Sequence, residues 1–109
     1  MDRLNEQGAE LVLPFDPSRT TYADVVHGGA IAALIDVAAT AASWASAPVP
    51  EKPRGATVGM SVQYLAAGRG DLRARARVLR QGGLTSSDVD VVDGSGTLVA
   101  KAMVTYKLG

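Results

Sequence analysis

The sequence predicts an α+β chain in which a curved antiparallel sheet of about five to six strands wraps around one long central helix. Three patterns point there. Gly28 to about Ala47 is an apolar, alanine-rich run of helical length, ended by Pro48-Val49-Pro50. Four later segments alternate apolar and polar residues with period two. The joints between those segments are too short for parallel crossovers, so neighbouring strands are expected to run antiparallel.

Composition narrows the function classes. The 109 residues, 47% apolar and 20% charged, suit one packed domain over residues 1–109. Eleven Lys and Arg balance eleven Asp and Glu. No general field draws in nucleic acid, so no nucleic-acid partner is expected. Without cysteine, and with one histidine, the chain has no disulfide framework, thiolate zinc site, cysteine nucleophile or multi-histidine centre. No metal and no cofactor is expected. Met1 to Gln7 is polar and lacks the apolar stretch of a secretory signal, which makes the cytoplasm the expected location.

In chain order, Ala9 to Phe15 reads as a first strand closed by Asp16-Pro17-Ser18, and Arg19 to Val26 as a polar connection to His27-Gly28-Gly29. The helix that follows is apolar on nearly every face, as in a membrane span or a helix wrapped by its own domain. Weakly apolar alanines, and Asp36 near the midpoint at a cost of roughly 2.5 to 3.5 kcal/mol in a bilayer, favour the wrapped helix. No membrane partner is expected. Next, Val58, Met60, Val62 and Tyr64 alternate with Thr57, Gly59, Ser61 and Gln63, while Leu72, Ala74, Ala76 and Val78 alternate with Asp71 and three arginines. Val89 and Val91 alternate with Asp88 and Asp90, and Leu98, Ala100, Ala102, Val104 and Tyr106 form the last strand. A two-residue turn at Gly82-Gly83 sets Arg77 opposite Asp88, Arg75 opposite Asp90, Ala76 opposite Val89 and Ala74 opposite Val91, unless a bulge near Leu79 shifts the register.

Two features carry chemistry. Asp36 has only Ala32, Ala33, Ala39 and Thr40 one turn away, so no local cation offsets its desolvation and only Thr40 is a local hydrogen-bond partner. It is either a residue on a solvated helix edge or a functional acid facing a cleft. At the helix start, His27-Gly28-Gly29 offers free N–H groups and the positive dipole end to an anion or developing oxyanion, and the two glycines let a ligand approach. The plainer readings are turn geometry for the glycines and capping or packing for His27. Gly28 and Asp36 are eight residues apart, or about 12 Å of helical rise, and cannot both touch one carbonyl. A two-fold dimer with antiparallel helices brings one chain's amide to the other's carboxylate, so a site at a subunit interface is expected.

His27-Gly28-Gly29-Ala30-Ile31-Ala32-Ala33-Leu34-Ile35-Asp36 resembles the HGG-x5-L-x-D pattern of hotdog-fold thioesterases of the PaaI (phenylacetyl-CoA thioesterase) type. The likeness continues through Thr57 to Leu65, Gly68 to Asp71, Val78 to Gly82 and Leu98 to Ala100. It implies a hotdog fold, homodimers or homotetramers, and hydrolysis of an acyl-CoA to free acid and CoA. Carried over by position, Asp36 is the nucleophile or the general base, and the Gly28 amide of a second subunit polarises the carbonyl. Thr57 orients the water or the acid, unless it is an ordinary outward strand residue, and His27 shapes the loop. Relatives commonly carry Asn six residues before the His and Gly two before it, where this chain has Thr21 and Val25. Thr21 or Asp24 then replaces the Asn contact. Arg69, Arg73, Arg80 and Lys101 are candidates for the CoA phosphates, and Met60, Trp44 and Tyr64 for an acyl pocket, with solvated surface and core packing as the plainer roles. The main alternative is a non-catalytic acyl-CoA-binding module. A hydratase or dehydratase fits less well, because the only His precedes the acid on a loop.

Overall fold

The computed structural model describes residues 3–5, 8–16, 18, 20–22, 25–47 and 55–108. The Pro48-Val49-Pro50 stop and Asp24 lie outside them. The elements are β1 (Arg3–Asn5), β2 (Gly8–Leu13), β3 (Thr20–Tyr22), β4 (Val25–Val26), α1 (Gly28–Ala45), β5 (Gly55–Tyr64), β6 (Leu72–Arg80), β7 (Leu84–Asp93) and β8 (Leu98–Leu108). Six of the strands form one sheet in the order β1-β2-β6-β7-β8-β5, antiparallel throughout. β3 and β4 form a separate small hairpin.

The helix lies against the inner face of the large sheet. Ile31, Leu34, Ile35, Ala38, Ala39 and Ala42 are buried, and they meet Leu72, Ala74, Val89, Val91, Val99 and Val104 from the sheet. Small alanines on the packed stripe let strand and helix axes approach closely. Although α1 is long and apolar enough to cross a membrane, its apolar stripe is spent on this core. The helix ends at Ala45, close to the expected Ala47, with Ser46 as its C-cap: the Ser46 N–H donates to the Ala42 and Ser43 carbonyls. A sheet wrapped about one central helix is the hotdog arrangement.

Two polar stretches are more structured than their composition suggests. Arg3–Asn5 pairs with β2, extending the sheet by one strand. The connection before the helix contains the β3–β4 hairpin, whose Val26 N–H donates to the Gly68 carbonyl at 2.7 Å and whose Val25 bridges Arg69. The loop entering α1 is thereby tied to the loop between β5 and β6.

The β6–β7 register is the expected one: Ala74, Arg75, Ala76 and Arg77 stand opposite Val91, Asp90, Val89 and Asp88. A shift between Val78 and Arg80 places the bulge at Leu79, and beyond it Arg80 faces Ser86. The connection is therefore longer than a two-residue turn. The bulge absorbs the extra residue, so the register farther along is unchanged.

Candidate active site

Asp36 projects from the middle of α1 toward β5 and is half-buried. Its hydroxyl partner among the described residues is Thr57, whose Oγ1 donates to Asp36 Oδ1 at 2.7 Å. Strict alternation along β5 sets Thr57 on the opposite face from Met60. The structure differs because the β5–β8 register shifts between Thr57 and Gly59, making Val58 a bulge. Thr57 stands opposite buried Tyr106 and Met60 opposite buried Val104, so both lie on the helix side of the sheet. The extra residue thus turns Thr57 inward, and Thr40, one turn beyond Asp36, is not the hydroxyl that reaches the carboxylate.

At the helix start, His27 is the N-cap in extended conformation, with φ −61° and ψ 136°. Its Nδ1 accepts from Gly29 N–H at 3.0 Å, and its carbonyl accepts from the N–H groups of Ala30 and Ile31. These bonds satisfy three of the first four helix amides and leave the Gly28 N–H as the open donor among the described residues. His27 is thus a cap, and the Gly29 amide is engaged by it.

The two glycines differ. A Cβ at Gly29 would lie 3.2 Å from His27 Nδ1, so the cap itself favours glycine there. A Cβ at Gly28 would find the Tyr64 ring nearest among the described residues, at an ordinary 3.7 Å, and Gly28 has no positive φ. Among the described residues nothing demands glycine at position 28, which fits close approach by something outside the chain. Sequence reasoning placed Tyr64 only as a pocket or core residue. The structure sets its hydroxyl on the Gly28 carbonyl at 3.1 Å.

The remaining candidates are dispersed. Arg69 is exposed on the loop beside β4, close in sequence pairing to the His27 end of the helix. Arg80 lies at the far tip of β6, beside the Gly82-Gly83 loop. These two cations occupy opposite ends of the sheet and do not converge within one chain. Arg73 pairs with Glu10, and Lys101 bridges Asp90 at 2.6 Å and Asp88 at 3.3 Å, so both are engaged in surface ion pairs. Arg77 meets Asp88 at 3.1 Å as its register implies, whereas Arg75 turns to Glu10 on β2 at 3.6 Å instead of Asp90. Trp44 donates from Nε1 to the Tyr106 hydroxyl at 3.0 Å and packs edge-on against its ring, which makes it a packing residue. The side chain of Thr21 lies outside the described residues. Among those described, no three His, Asp or Glu side chains cluster as a metal site requires.

A helix-borne carboxylate held by a strand hydroxyl, and an open glycine amide at the same helix's start, sit together in a hotdog frame. The family described as the Thioesterase superfamily matches residues 23–105, and the chain belongs to it. It is 39% identical over 77 residues to a Halobacterium salinarum protein described as a putative esterase, an alignment covering 70% of this chain and 51% of that protein. The chain therefore spans about half the length of that curated relative. A Streptococcus mutans protein solved with acetyl-CoA superposes with TM-score 0.88 at 23% identity, over 100% of this chain and 86% of that one. A hypothetical thioesterase protein from Streptococcus pneumoniae, solved with coenzyme A, gives 0.86 at 23% identity, over 98% and 85%.

Proposed function

We propose that the protein is an acyl-CoA thioesterase of the phenylacetyl-CoA thioesterase (PaaI) type, working as a homodimer or homotetramer with sites shared between subunits. The observation that carries this reading is the Thr57–Asp36 hydrogen bond. It orients one carboxylate oxygen and leaves the other to act. As general base, that oxygen takes a proton from water while the water oxygen attacks the thioester carbonyl, the C–S bond breaks, and CoA leaves as the thiol after reprotonation. As nucleophile, it attacks the thioester carbonyl, the C–S bond breaks and CoA leaves as the thiol after protonation, and water then hydrolyses the resulting mixed anhydride to free acid and the Asp36 carboxylate. In either case the Gly28 N–H of the second subunit receives the developing oxyanion.

The shared site draws support from β5. It is a ten-residue edge strand whose Val58, Met60 and Tyr64 are 54%, 41% and 53% exposed, a form suited to pairing with its two-fold copy. Leu79, Leu84 and Met103 on the outer face suit a second contact in a tetramer. An apolar groove of about 370 Å³ between β2 and α1, lined by Leu11, Leu13, Ala30, Ala33, Leu34 and Val37, begins two residues from Gly28 and suits an acyl group. Arg69, with Arg80 of the neighbouring subunit, supplies cations for the CoA phosphates.

The test is CoA release from a panel of aryl and medium-chain acyl-CoA thioesters, followed with a thiol reagent, for wild type and Asp36→Ala. The protein has no cysteine to react with that reagent. Turnover by wild type and at least about a hundredfold loss in the variant is expected. Acyl-CoA binding without CoA release by wild type points instead to a binding module.

A further inference from the structure

Tyr64 ends β5 opposite Ala100, and just beyond it Leu65 N–H and Ala66 N–H both donate to the Val99 carbonyl, at 2.8 and 3.2 Å. Val99 and Ala100 are fully buried, so the tyrosine side chain springs from a fixed point. Its hydroxyl donates to the Gly28 carbonyl, and that carbonyl and the Gly29 N–H are the two ends of one planar peptide. The other end is held as well, by His27 Nδ1. Neither bond is needed to continue the helix. The Gly29 N–H is one of the orphan donors of the first turn, and the Gly28 carbonyl has an intrahelical role of its own. Nor is Tyr64 a core residue of its own chain, where about half of it is uncovered.

We propose that Tyr64 is a positioning residue: together with His27 it clamps the Gly28–Gly29 peptide and so fixes the direction of the adjoining Gly28 N–H. Consecutive glycines make this turn the freest backbone in the helix. The Gly28 N–H lies in the His27–Gly28 peptide, whose carbonyl accepts from the Ala30 and Ile31 N–H groups; the clamp on the next peptide holds the Gly28 α-carbon at the other side of that N–H, and an oxyanion donor works only when aimed beforehand. The catalytic consequence rests on the thioesterase reading; the clamp itself does not.

Tyr64→Phe keeps the ring and removes only the hydroxyl. In the intact protein kcat for an acyl-CoA is expected to fall about five- to tenfold with KM within about twofold of wild type, since the lost bond acts on the transition state. Amide hydrogen exchange at Gly29, read by NMR on the same variant, is expected to quicken about fivefold or more as the peptide loosens. An unchanged kcat, or a loss borne by KM alone, overturns the positioning role, and an unchanged Gly29 exchange rate overturns the clamp. Should wild type release no CoA, the thioesterase reading falls by that result alone, and the Gly29 exchange ratio still decides whether Tyr64 holds the peptide.

Discussion

Asp36 and Thr57 act as one unit at the residue scale, because the hydroxyl that satisfies one carboxylate oxygen also fixes the rotamer of the other. Asp36→Asn is expected to lower kcat at least about a hundredfold, and Thr57→Ala about tenfold, with Thr57→Ser close to wild type because the donor survives. Steady-state CoA release measures all three. The glycines separate in a different way. Gly29→Ala crowds the His27 cap and is expected to cost about 0.5 to 1 kcal/mol of stability by urea unfolding. Gly28→Ala has room beside Tyr64, so unfolding should show no loss from crowding while turnover falls. Asp36 stood out in the sequence as a lone charge in an alanine-rich run, with a solvated helix edge and a functional acid both open as readings. Thr57 was legible as its partner only through the resemblance, since it reaches Asp36 through a bulge that period-two reading cannot see.

Charge patterns at the scale of elements set register more reliably than they set side-chain partners. The alternating arginines of β6 and aspartates of β7 gave the correct pairing, yet Arg75 prefers Glu10 because β2 lies on its other side. These exposed pairs contribute little, and Arg77→Ala is expected to change stability by less than about 1 kcal/mol. β1 and the β3–β4 hairpin escaped notice because strands of two or three residues are too short for a readable period. The β7–β8 turn has its own electrostatics. Asp93 accepts from the Ser95 hydroxyl at 2.7 Å and from the Ser95 and Thr97 N–H groups, each at 3.0 Å. The Ser95 hydroxyl foremost, and these amides with it, hold the Asp93 carboxyl below the ordinary carboxylate value against a smaller opposing effect of desolvation. A depressed carboxyl stabilises the fold above its unfolded value and loses that contribution as pH falls through its folded one. Ser95→Ala is therefore expected to raise the Asp93 pKa toward 3.8 in an NMR titration, and an unmoved titration would show that the backbone amides alone set it.

On the thioesterase reading one copy of the chain does not complete a site, because about 12 Å of helix separates the Gly28 amide from Asp36. That separation was readable from eight residues of spacing, whereas the exposed β5 edge suited to closing it emerges only once the strand order is known. Gly28→Pro removes the amide cleanly. It occupies the first helical position, where proline is favoured, and the preceding His27 already has the extended ψ of 136° that a proline requires. A Cβ there also clears the Tyr64 ring. Homodimers of Asp36→Ala, and homodimers of Gly28→Pro, each lack one member of every site. In a heterodimer of the two, shared sites divide unevenly: one holds an intact Asp36 and an intact Gly28 amide, and the other holds neither. Purified heterodimers carrying two different tags are expected to recover about half the wild-type rate of CoA release. Sites built within single chains predict no recovery, since each chain would still carry its own defect, and that result would overturn the shared-site arrangement while leaving the roles of Asp36 and Gly28 to the single variants.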